Sequence, residues 1–121
     1  MNQAAEISVL PAIRPSGAAL GADVEGIDMN KTPSADQLEA VNAAWSRHLV
    51  LRFRGQQGLG LAGLIAFSRY FGSLDRRPGL AREGMSSEHD ALPPEITVIS
   101  NVQVDGKPLG ALGDGEAVWH A

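Results

Sequence analysis

The stretch Leu49-Val50-Leu51-Arg52-Phe53-Arg54-Gly55 decides how the rest of the chain is read. Its later alternation puts Leu51 and Phe53 on one face and Arg52 and Arg54 on the other, the pattern of a strand with one side against a core, and Gly55 ends it. The residues before it predict a helix. Ser34, directly after Pro33, offers a hydroxyl to a free backbone N–H, and Gln37 three residues later completes a capping box. From there Leu38, Val41, Trp45 and Leu49 recur at helical spacing as the expected core face, with Asp36, Glu39, Asn42 and Arg47 outward. His48 falls at the end of this helix, where a contact with the last carbonyls suits it. Beyond the strand a second helix is predicted over 61–71, with Leu61, Leu64, Ile65, Ser68 and Phe71 along one stripe and Gly72 as a left-handed cap. Gly58, Gly60 and Gly63 weaken its beginning.

Further out the signals are shorter. Residues 7–13 are apolar and β-branched enough for a strand, with Pro11 marking an edge or a break. Residues 18–27, punctuated by Gly21 and Gly26 and preceded by Gly17, suit short strands joined by tight turns, so a small β-sheet is expected at the start of the chain. Residues 73–94 contain Pro78, Gly79, Gly84, Pro93 and Pro94 and have the composition of a surface loop. A strong strand is predicted over 95–104, centred on Ile96-Thr97-Val98-Ile99, followed by the hairpin-turn dipeptide Asp105-Gly106. No internal repeat is present, and the glycine-containing stretches are too irregular for a phosphate loop.

Composition narrows the function classes. With 121 residues, 44% hydrophobic and 20% charged, the chain has the makeup of a folded domain, and one domain is the default for this length. A net charge of -4 and a pI near 5.2, without a run of Lys or Arg, remove the electrostatic footprint of nucleic-acid binding. The absence of cysteine excludes disulfides and thiolate metal sites, and leaves His and carboxylates as the strong candidate ligands. It also permits a reducing cytoplasm, the expected location. Neither a signal peptide nor a membrane span is expected, because the first ten residues have no basic start and no run of about 18 apolar residues occurs.

Five phrases follow one another along the chain: Gly21-Ala22-Asp23-Val24-Glu25-Gly26-Ile27-Asp28; Leu49 to Gln56; Phe67-Ser68-Arg69-Tyr70-Phe71-Gly72-Ser73-Leu74; Ile99-Ser100-Asn101-Val102; and Gly113-Asp114-Gly115-Glu116-Ala117-Val118-Trp119-His120. None is decisive alone. In this order and spacing they resemble the taurine/chlorophenoxyacetate dioxygenase family, whose members depend on Fe(II) and 2-oxoglutarate. The resemblance implies an α+β class in which this chain, over 1–121, is the N-terminal portion of one double-stranded β-helix (jelly roll) domain with flanking helices. In that family the Trp-His phrase continues as His-x-Asp, and these two residues with a distant His form the facial triad that holds iron. By resemblance His120 is the first iron ligand and Ala121 takes the variable middle place. The Asp, the second His and the Arg that pairs with 2-oxoglutarate are expected beyond position 121. Three protein ligands on one face of the metal leave two positions for 2-oxoglutarate and one for O2. The cofactor and co-substrate supply the oxidising chemistry, and the protein positions the reactants.

The same residues have plainer readings. A His after Trp, judged without the family, is a structural or solvated residue, and only the motif context makes His120 a ligand. His89, between Glu88 and Asp90, reads as solvated. Asp114 and Glu116 form either a carboxylate pair or, given Gly113 and Gly115, a turn. Asn101 is a candidate for substrate contact or for a hydrogen bond that fixes the sheet. Taurine-using relatives carry a His-Pro-x-Tyr phrase after Phe-Gly-x-Leu, whereas the matching stretch here is Arg77-Pro78-Gly79-Leu80. Both polar grips on a sulfonate are replaced, which puts taurine in doubt. Arg77, with Arg76, either attracts an anionic substrate or is a solvated loop residue. The resulting expectation is a dioxygenase that hydroxylates a small organic substrate, anionic if the arginines take part, with release of succinate and CO2. Its partners are that substrate and O2, with neither nucleic acid nor membrane, and a homo-oligomer for the complete protein is part of the resemblance. The rival expectation is a truncated, non-catalytic module without enzyme activity.

Overall fold

The computed structural model describes residues 9–76 and 92–108. They belong to two compact units, Met1–Gly72 and Ser73–Ala121.

The first unit is built on a strand–helix–strand crossover. Strand β1 (Ala12–Pro15) pairs antiparallel with β2 (Ala22–Glu25), and β2 pairs parallel with β3 (Leu51–Phe53), giving the order β1-β2-β3. A parallel pair cannot be closed by a tight turn, and helix α1 (Ala35–His48) supplies the long connection. The expected opening sheet is present, but β1 starts at Ala12, one residue after Pro11, instead of spanning 7–13; residues 1–8 lie outside the described residues. Pro11 lacks the N–H a ladder needs, so the strand begins beyond it.

Helix α1 starts where the capping box predicts. The Gln37 N–H donates to Ser34 Oγ at 3.1 Å, and the Ser34 N–H donates to Gln37 Oε1 at 3.0 Å. Such a hydroxyl cap contributes about 1 kcal/mol. The core face differs from the expected one. Val41 and Ala44 are buried, whereas Trp45 is 48% and Leu49 63% exposed. The Trp45 indole reaches the helix end, where Nε1–H donates to the Leu49 carbonyl at 3.2 Å, a polar task that keeps its ring at the surface.

Leu49 itself is no longer helical. It has φ 68 and ψ -32, and the Val50 N–H closes back onto the His48 carbonyl at 2.8 Å. A positive φ for a residue with a side chain costs about 1–2 kcal/mol, and an i to i+2 hydrogen bond around such a residue is the strained form of the γ-turn. Glycine at 49 should relieve that strain, while an exposed Leu side chain gives up little burial. Leu49→Gly is therefore expected to raise the melting temperature, by the equivalent of up to about 1 kcal/mol after the entropy glycine adds to the unfolded chain. Leu49→Ala, which keeps Cβ, should bring no such gain. Equal melting temperatures for the two variants would refute a strained Leu49.

Helix α2 covers Leu61–Ser68 and tightens into a 3-10 turn at Arg69–Phe71. Of the expected stripe, Ile65 is buried and Phe71 packs against the core, but Leu61 and Leu64 are 42% and 38% exposed, and Phe67, outside that stripe, is buried. The sequence Leu-Ala-Gly-Leu-Ile-Ala-Phe is apolar nearly all round, and periodicity alone cannot choose its inner face. Gly63 is explained by close approach: a Cβ there would run into Asn30 Oδ1, and the same Asn30 donates through Nδ2 to the Gly58 carbonyl at 3.1 Å. Gly72 adopts φ 148 and ψ 178, an extended positive-φ conformation instead of the expected left-handed one. The core of this unit is Val24, Ile27, Val41 and Phe67, with Ile13, Met29, Leu51, Phe53 and Phe71 packed against it.

In the second unit the long strand expected over 95–104 is replaced by a short hairpin, β4 (Gln103–Val104) with β5 (Lys107–Pro108). The Ile96 N–H donates to the Pro93 carbonyl at 3.0 Å, a turn where strand was predicted. Ile99 is 72% exposed. β-branched residues favour a strand only where a neighbouring strand exists, and among the described residues 96–102 pair with no strand, although Ile96 and Val98 are half-buried. The Asp105-Gly106 turn does form, with φ 51 and φ 74, both positive as a two-residue hairpin requires.

Candidate functional site

Of the three predicted site residues, the structure places one. Asn101 lies in the second unit outside any strand, exposed, in a turn closed by the Val102 N–H on Ser100 Oγ at 3.1 Å. Its expected strand position is thus corrected. His120 and Arg77 lie outside the described residues, as do His89, Asp114 and Glu116, and Arg76 is exposed at the edge of that region. Among the described residues no three His, Cys, Asp or Glu side chains are grouped so as to hold a metal ion, and no helix is long and apolar enough to cross a membrane.

Two features of the first unit were not legible beforehand. One is a charged row on the outer face of the sheet. The register sets Arg14 opposite Asp23 and Asp23 opposite Arg52. Arg52 grips the carboxylate with two bonds, Nε to Oδ1 at 2.6 Å and Nη2 to Oδ2 at 3.0 Å, while Arg54 Nε stands 4.0 Å from Oδ2. Arg14 turns instead to Glu25, Nε to Oε1 at 2.8 Å. The alternation in 51–54 had already put Arg52 and Arg54 outward. Their acidic partner depends on a parallel pairing that no local signal specifies.

The hydrogen bonds from Arg52, aided by its charge and that of Arg54, hold the Asp23 carboxyl below its ordinary value, with partial burial opposing them. A depressed acid contributes stability that is present above the unfolded value, near 3.8, and is lost as pH falls through the lower folded value. Because Arg52 is largely exposed and Asp23 only partly buried, solvent screens the pair and the effect should be small. Asp23→Asn is expected to lower the melting temperature modestly at pH 7 and by progressively less as pH drops below 4. A gap between the two proteins that stays constant down to strongly acid pH would exclude this ionic contribution.

The other feature is an open apolar cleft of about 440 Å³, lined by Val41 and Trp45 of α1, by Leu49, Val50, Leu51 and Phe53 of the turn and strand, and by Phe67, Ser68 and Phe71. Phe71 meets Trp45 edge to face at 5.9 Å, and Phe67 meets Phe53 likewise at 5.5 Å. Its single hydroxyl, Ser68, donates to the Leu64 carbonyl at 2.8 Å. Among the described residues, those lining the cleft therefore offer contact area and no acid, base or metal ligand.

Comparison with known proteins supplies what this geometry lacks. The model of the family described as taurine catabolism dioxygenase TauD, TfdA family matches residues 12–121. Pentalenolactone F synthase from Streptomyces avermitilis is 35% identical over 122 residues, covering 99% of this chain and 36% of that protein. (S)-phenoxypropionate/alpha-ketoglutarate-dioxygenase from Delftia acidovorans is 35% identical over 94 residues, covering 78% of this chain and 27% of the relative. Among solved structures, a protein assigned as an alpha-ketoglutarate-dependent taurine dioxygenase from Burkholderia xenovorans superposes with a TM-score of 0.53 at 31% identity, over 59% of this chain and 26% of that one. The chain thus spans about a third of the length of the curated relatives it matches.

Proposed function

The chain belongs to the TauD/TfdA family of dioxygenases, and from that premise we propose that it forms the N-terminal part of an Fe(II)- and 2-oxoglutarate-dependent oxygenase domain of jelly-roll type. The reaction is hydroxylation of a small organic molecule with release of succinate and CO2. The observation that carries this reading is that the family match extends from the start of β1 to the end of the chain and includes Trp119-His120. On this reading His120 is the first iron ligand, a neutral imidazole suited to ferrous iron, and the family's Asp and second His complete the triad. The metal and 2-oxoglutarate supply the oxidising power when bound, and the residues of this chain hold one ligand and one wall of the site.

The phenoxypropionate in the name of the Delftia relative is an aryloxy carboxylate. Together with Arg76 and Arg77, and with Arg77-Pro78-Gly79-Leu80 where taurine users carry His-Pro-x-Tyr, it favours a carboxylate-bearing substrate over taurine. Arg77 would pair with the carboxylate as a two-pronged donor, and Asn101 would hydrogen-bond the substrate from its exposed turn. A cytoplasmic location fits a chain with no cysteine. The test is succinate release by a full-length protein carrying these residues, with iron, 2-oxoglutarate and either aryloxy carboxylates or taurine. Turnover that requires both cofactors and prefers the carboxylates is expected. Iron-independent turnover, or a preference for taurine, would contradict the cofactor or the substrate assignment respectively.

A further inference from the structure

We draw no further inference here: the strongest candidate, the open apolar cleft between α1, β3 and the end of α2 beside the unpaired edge of β3, is an unpartnered face, and nothing among the described residues shows what covers it.

Discussion

Replacing His120 with alanine in a full-length protein that carries these residues is expected to abolish succinate formation while leaving the melting curve nearly unchanged. Ferrous iron lies low in the affinity order for divalent metals, so its retention depends on all three ligands acting together. Even changes to groups that merely orient a metal ligand cost 10–100-fold, and removing the ligand itself should cost more than about 100-fold in turnover. The fold should survive because the proposed task of the imidazole is coordination. Anaerobic iron titration, a succinate assay and a thermal melt of both proteins separate the outcomes. Loss of turnover with weakened iron binding and an intact melt supports the assignment. Full activity in His120→Ala would remove this residue from the iron site, and loss of activity with loss of folding would make it a packing residue.

Phe67→Ala should have the largest effect on stability. Phe67 is 4% exposed and its ring meets Phe53 at 5.5 Å, Phe71 at 5.4 Å and Tyr70 at 6.4 Å. Truncating a buried Phe removes its transfer free energy and leaves a cavity, together about 3–5 kcal/mol. That is a large part of the stability of an ordinary domain, so the denaturation midpoint should fall sharply. Leu64→Ala, on the same helix but at a site 38% exposed, should cost far less. The pair is a direct test of which face of α2 is inward: the stripe read from spacing places Leu64 in the core and leaves Phe67 out. Chemical denaturation of the two variants decides it, and a larger loss for Leu64→Ala would restore the spacing-based face.

The elements that sequence reading located well are those whose signals are local. Ser34 and Gln37 satisfy each other's backbone groups within one turn, so the start of α1 needs nothing from the rest of the chain. Asp105-Gly106 forms its turn because both residues tolerate positive φ, again a local property. Alternation in 51–54 identified the inner and outer faces of β3 for the same reason. Misreadings arose where the outcome depended on distant partners. The strand expected over 95–104 shrank to two residues because β-propensity is realised only against a neighbour. Leu49 left the helix face because the chain must reverse there to lay β3 beside β2.

The site divides along the same line. Family membership, and with it the candidate role of His120, was legible in the order and spacing of five short phrases, since a family keeps its motifs in the covalent chain whatever their surroundings. Asn101 could be named but not placed, because its strand assignment rested on propensity. The sequence by itself determined the helix cap, the hairpin turn, the two-faced strand and the family. Only the tertiary structure decided that Asp23 faces Arg52 across a parallel pair 29 residues apart, that Phe67 instead of Leu64 fills the core, and that Gly63 makes room for Asn30. Caps, turns and alternation are set by bonds within a few residues, whereas register, inner face and close approach are set by which remote surfaces meet, and that free energy belongs to the assembled fold.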